Sequence, residues 1–305
     1  MSPAPRLPAT LRFIERDWLS ANGVLFDDGT HTALVDTGYV KHQDLTLAVV
    51  RRALDGRPLD LLVNTHLHSD HCGGNAILQS HYGVRTLVPA ASVDAVRAWD
   101  EEALTFAATG QRCERFACDG ALDDGQTIEL GGLSWQAIAA PGHDPQALIL
   151  YCAAERVLIS ADALWGNGFG VIFPELEGES GFAEQRAILD RIEGLDVVTV
   201  IPGHGPMFTD VRGALRTARQ RLEHLSADPA RNALQAVKVL LKFLLLEHER
   251  VPLKGVGPLL SSIPLTTNAN TRYIGMAPDA LVDWAIAGLL KAGAARVDGD
   301  ALVNA

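Results

Sequence analysis

His66-Leu67-His68-Ser69-Asp70-His71 sets three imidazoles and one carboxylate within six consecutive positions. These side chains offer nitrogen and oxygen donors that suit zinc, iron or manganese. The chain has ten histidines in 305 residues, and three of them stand here, a density that a solvated surface does not require. The apolar run just before them, Leu61-Leu62-Val63-Asn64-Thr65, reads as a buried strand that delivers the cluster at its exit.

Further donors follow, each at the end of an apolar run. Trp135 to Ala139 leads into Pro141-Gly142-His143-Asp144, Val157 to Ser160 leads into Asp162, and Val197 to Ile201 leads into Pro202-Gly203-His204-Gly205-Pro206. Short β-rich runs closed by Pro or Gly are strands running out into loops, which is where α/β architectures carry chemistry. The order of these residues resembles the metallo-β-lactamase-fold hydrolase superfamily. Leu34-Val35-Asp36-Thr37-Gly38 ahead of the cluster and Asp70-His71-Cys72-Gly73-Gly74-Asn75 at its end match that family as well, so the likeness runs over about residues 10 to 210.

The resemblance implies an αββα sandwich, two mixed sheets covered by helices, within α/β architecture. It implies one metal site from His66, His68 and His143, a second from Asp70, His71 and His204, and Asp162 bridging the two. It places Asp36 behind the ligands, where a carboxylate orients an imidazole. Asp144 reads instead as a loop residue. Two divalent ions, zinc first with iron or manganese as alternatives, can share a water and lower its pKa toward about 7. The resemblance therefore implies hydrolysis of small ester, thioester or lactone substrates by a metal-bridging hydroxide, with Asp70 orienting the nucleophile or passing a proton to the leaving group. Ser69 and Cys72 lack a partner base in the motif spacing. Asp at position 162 departs from true β-lactamases of the family, and the full ligand set resembles the glyoxalase II, lactonase and nuclease branches. The basic pattern that binds glutathione in glyoxalase II is not found. Three other readings stay open: a phosphodiesterase or nuclease on the same metals, a mononuclear iron dioxygenase of sulfur compounds, and a non-catalytic metal-binding regulator.

The resemblance implies a small-molecule substrate as partner, and composition bears on the alternatives. A formal charge of −11 repels phosphate backbones, so nucleic acid is not expected. The longest apolar stretch, Val239 to Leu246, is broken by Lys242 and too short to span a bilayer, so no membrane is expected either. Residues 1–10 are rich in proline where a signal peptide would need an apolar helix, and are expected to be a disordered tail on a cytoplasmic protein. Four cysteines in so long a chain read as reduced and structural.

The pattern predicts a catalytic domain over residues 11–208. It has strands near 11–16, 22–26, 32–36, 61–65, 127–130, 134–139, 147–152 and 157–160, and helices near 43–54, 70–82 and 180–193. From residue 209 a mainly helical cap is expected. Leu234, Val237, Leu240, Leu241, Leu244 and Leu245 recur at helical spacing as a core stripe, a helix follows near 278–291, and a hairpin over 295–303 closes the chain with a faint winged-helix likeness. From Asp228 to the end the chain carries eight Lys/Arg against seven Asp/Glu, so the cap is expected to shape the pocket or form a homodimer contact rather than bind nucleic acid. Trp165 to Phe173, with three glycines among aromatics, is expected to form an apolar lip over the metals or a buried connection. Arg272 and Tyr273 are expected to reach the site.

Overall fold

The computed structural model describes residues 5–305. One sheet runs β1 (Leu11–Ile14), β2 (Gly23–Asp27), β3 (Thr32–Val35), β4 (Leu61–Val63), β5 (Arg85–Pro89), β6 (Gly120–Leu122), in that spatial order. Its first three strands are antiparallel and the rest parallel. The second sheet has the order β11 (Thr199–Pro202), β10 (Val157–Ala161), β9 (Leu148–Cys152), β8 (Leu133–Ala139), β7 (Thr127–Leu130), antiparallel except for β10 beside β11.

Alternation along the strands sorts residues between two layers. Val24, Phe26, Val35 and Val63 of the first sheet meet Trp135, Leu150, Ile159 and Ile201 of the second in one core. Leu25, Leu34 and Leu62 face outward and are covered by α1 (Gln43–Leu54) and α3 (Asn75–Tyr82). Ile149, Leu158 and Val200 face the other way, under α7 (Phe182–Glu193) and α8 (Val211–Ser226). The result is the expected αββα sandwich.

The expected helix over 70–82 is two helices, α2 (Ser69–Cys72) and α3, parted at Gly73-Gly74. A Cβ on Gly73 would lie 2.3 Å from the Val40 nitrogen, and one on Gly74 2.5 Å from the Thr37 carbonyl oxygen, so backbone packing sets the break. Three short strands, β5, β6 and β12 (Arg250–Pro252), were not foreseen. Between the sheets' strands lie α4 (Val93–Ala98), α5 (Phe106–Thr109) and α6 (Pro174–Glu177).

The C-terminal region holds α9 (Pro229–His248), α10 (Leu253–Ser261), α11 (Pro264–Ala269) and α12 (Pro278–Lys291). Asp228 caps α9 by accepting from the Ala230 N–H, with Pro229 in the first turn. The foreseen stripe is buried: Val237, Leu240, Leu241, Leu244 and Leu245 share a core with Leu281, Ala285 and Leu289 of α12. β13 (Ala295–Asp298) and β14 (Ala301–Asn304) form the closing hairpin, and β12 pairs with β14 to complete a third sheet. Among the described residues no single helix is long and apolar enough to cross a membrane. The expected tail lies partly outside the described residues; within it, Leu7 packs on the core between the sheets and the Thr10 hydroxyl donates to the Gly131 carbonyl.

Candidate metal centre

Every expected donor stands at a strand exit along one edge of the sandwich. His66 and His68 follow β4, and Asp70 and His71 lie in α2. His143 follows β8, and His204 follows β11. Asp162 leaves β10 through a register shift after Ile159, with Ala161 at φ 44, a bulge that turns the carboxylate toward the cluster. His66, His68 and His143 form one group whose donor atoms lie within 4.8 Å of one another, and Asp70, His71 and His204 form another. Asp162 stands between them: Oδ2 is 3.3 Å from His143 Nε2 and Oδ1 is 3.4 Å from His71 Nε2.

Outer hydrogen bonds fix which imidazole nitrogens face inward. His143 Nδ1 lies 2.5 Å from the Val171 carbonyl and must donate to it, which leaves Nε2 as a lone pair. His68 places Nε2 3.4 Å from Asp144 Oδ2, which leaves Nδ1 pointing inward. The Thr65 hydroxyl donates to Asp36 Oδ2 at 2.7 Å and can accept from His66 Nδ1 at 3.2 Å. His71 Nδ1 donates to the same Asp36 oxygen at 2.8 Å.

The inner atoms then meet without donors. His68 Nδ1 is 2.7 Å from His143 Nε2 and 3.2 Å from His66 Nε2, and the buried His71 Nε2 has no hydrogen-bond partner. Converging lone pairs beside carboxylates repel unless a cation lies among them, so this donor set fits divalent metal.

Electrostatics agree for the His66, His68 and His143 group. Burial pushes His68 and His143 down to about 4, and His66 well below its usual value, which keeps these imidazoles neutral and ligand-ready. His71 differs: burial acts to lower it, but Asp36 and Asp162 outweigh burial and hold that ring well above its ordinary value, so metal at Nε2 would have to displace a proton. Burial acts to raise Asp162, and His204 and His71 override it, so the carboxyl stays ionised. Two glycines make room. A Cβ on Gly203 would lie 2.2 Å from Asp162 Oδ1, and one on Gly170 2.3 Å from His143 Nδ1.

A cavity of about 460 Å³ opens over His68, Asp70, His143, Asp162 and His204. The Trp165–Phe173 segment serves in both expected ways. Phe169 and Ile172 are buried, while Trp165, Val171 and Phe173 wall the cavity. A second lobe of about 270 Å³ shares His68, His143, Thr109 and Phe173 with the first.

Ser69 is buried and donates to Gln111, and Cys72 is a buried free thiol 3.7 Å from that of Cys113, so neither faces a base. Arg272 and Tyr273 do not reach the cavity as expected. They bond the carbonyls of Glu177 and Glu175, because the turn after α11 docks on α6.

Several contributors escaped the sequence reading. Asp144 backs His68, whereas it read as a plain loop residue. Trp18, 53% exposed, stacks on His204 with ring centroids 5.2 Å apart, and no periodicity announces it. Asn22 donates to the carbonyls of Pro202 and Gly205 and so braces the His204 loop.

Comparison with known proteins fits this architecture. The family model of the Metallo-beta-lactamase superfamily matches residues 16–204. The chain belongs to that superfamily. It is 28% identical over 191 residues to the Beta-lactamase-like protein 2 homolog of Caenorhabditis elegans, covering 62% of this chain and 57% of that protein. It is 33% identical over 195 residues to a Hydroxyacylglutathione hydrolase of Pseudomonas aeruginosa (strain LESB58), covering 63% and 64%. The matches thus span less than two thirds of these relatives' lengths. A metallo-beta-lactamase family protein from Thermus thermophilus shares the fold across 97% of this chain and 98% of its own, at TM-score 0.56 and 19% identity.

Proposed function

We propose that this protein is a metal-dependent hydrolase of small ester, thioester or lactone substrates. Its two divalent ions, zinc first, would be held by His66, His68 and His143 and by Asp70, His71 and His204, with Asp162 common to both. The observation that carries this reading is the pair of inward-facing donor clusters on either side of Asp162, at the floor of a cavity of small-molecule size. The names of the Pseudomonas and other hydroxyacylglutathione hydrolases support a thioester-cleaving member of the family.

When bound, the metals supply Lewis acidity toward the scissile carbonyl and an activated water. The chain supplies the rest. Asp36 and Asp144 hold the His71 and His68 rings in orientation. Asp70, on the cavity wall with Oδ2 3.1 Å from His204 Nε2, is placed to orient the attacking water and hand a proton to the leaving group. Trp18, Trp165 and Phe173 give the cavity apolar walls beside the cluster.

Elemental analysis of purified protein should find about two metals per chain, and chelation should abolish turnover of an ester, thioester and lactone panel. Asp162→Ala should lose metal and activity together. Full turnover by metal-free protein would refute the proposal, and phosphodiester cleavage exceeding ester cleavage would replace it with the nuclease reading.

A further inference from the structure

The cavity over the candidate metal cluster gathers cationic side chains in a chain that is acidic on balance. In a protein of net charge −11, its outer wall presents Arg221 of α8 and Lys238 and Lys242 of α9. The only carboxylates on its lining are Asp70 and Asp162, which belong to the metal centre. Lys242 is engaged, donating to the Ala294 carbonyl and to Asn304. Arg221 and Lys238 are not: among the described residues neither has a carboxylate within ion-pair distance.

Both cations are nevertheless held in place. The Arg221 guanidinium lies over the Phe169 ring, 5.0 Å from its centroid. It presses against Gly168, where a Cβ would come within 2.6 Å of Nη1 and where φ is +143, so only glycine admits it. Lys238 runs its stem past Gly288 and sets Nζ 5.5 Å from the Trp284 ring centroid. Burial costs Arg221 hydration, as its lowered pKa records. A half-buried guanidinium kept without a counter-ion is an unfilled anion partner.

Much of the remaining lining is apolar. Val239, Phe243 and Leu246 of α9, Leu289 of α12 and Ala292 just beyond that helix all line the cavity. The second lobe differs in charge, with Asp144, Glu177 and Glu179 on its lining and no Lys or Arg. An anionic arm is thus favoured in the first lobe and repelled from the second.

We propose that Arg221 and Lys238 form an anion subsite. It would select substrates whose reacting carbonyl is joined through an apolar arm to a carboxylate or phosphate-type oxyanion. The proposal rests on the hydrolase reading for the role of the bound molecule, but the subsite itself can be tested by binding alone.

Titration calorimetry on the protein with its metals would compare N-methyloctanamide, the mono-N-methylamide of suberate, and the same amide ending in a phosphonate. The two anionic amides should bind about tenfold or more tightly than the neutral one, the scale of a charge-assisted hydrogen bond. Which anion binds tighter identifies the oxyanion. In the double variant Arg221→Gln, Lys238→Gln the advantage should vanish while the neutral amide keeps its affinity. Arg216→Gln, exposed on the same helix, should retain the advantage. Should the double variant fail to fold, the single variants Arg221→Lys and Lys238→Gln should each lose part of it. Equal affinities in the unaltered protein, or an advantage that survives the variants, would overturn the proposal. An anion advantage without hydrolysis of the matching methyl esters would leave the subsite standing and remove the hydrolase reading alone.

Discussion

Asp36 shows how much one residue can be asked to do. It sits at φ 56, in the left-handed region that Asp and Asn tolerate best, and its two oxygens serve the Thr65 N–H, the Thr65 hydroxyl and His71 Nδ1. Asn tolerates the same backbone, so Asp36→Asn removes the charge without straining the turn. Zinc retention in a chelator-competition titration should weaken about 10- to 100-fold, the usual effect of losing a partner behind a ligand. Unchanged retention would mean that His71 needs no carboxylate behind it. Gly203→Ala tests space rather than charge. Its Cβ would collide with Asp162 Oδ1, so either the carboxylate or the loop must move. Metal content should fall together with about 1–3 kcal/mol of stability by denaturant unfolding. Full metal content at native stability would show that the site can yield. At this scale the sequence announced the donors because His and Asp at strand exits have few other uses. It did not announce Asp144, Trp18 or Arg221, whose roles depend on which distant loop or helix they meet.

Helix α9 is built with two working faces. Val237, Leu240, Leu241, Leu244 and Leu245 enter the C-terminal core, whereas Gln235, Lys238, Val239, Lys242, Phe243 and Leu246 line the cavity. The first face was legible from its apolar period. The second was not, because Gln and Lys on a helix read as a solvated surface until a cavity is seen beside them. The faces should respond differently to substitution. Leu241→Ala, at a fully buried position, should cost about 2–5 kcal/mol in urea unfolding. Lys238→Ala should cost about 1 kcal/mol or less, the scale of its contact with the Trp284 ring. Comparable losses from both would mean that the cavity face is part of the core. Short elements were the least legible. β12 has three residues between helices and a partner in β14 some fifty residues on, so no local pattern marks it.

Across the whole molecule, the candidate ligands come from both sheets: His66, His68, Asp70 and His71 from the first, His143, Asp162 and His204 from the second. Metal held there would fasten the two layers at one edge. Ligand linkage then adds about 4 kcal/mol when free metal exceeds its Kd about a thousandfold. Scanning calorimetry should show a clearly lower Tm after chelation, and an unchanged Tm would argue against metals that join the layers. The sandwich itself was legible through the family resemblance that the motifs carry. The cavity was not, since its walls draw on the segment before β2, the loop after β10 and three C-terminal helices. That division of labour gives α8 and α9 a significance for descent. The residues proposed to meet the substrate's far end, Arg221 and Lys238, are neither among the candidate metal ligands nor in the buried core. A lineage could therefore exchange its diet by drifting at a handful of positions on α8 and α9, while the reaction and the scaffold are inherited unaltered.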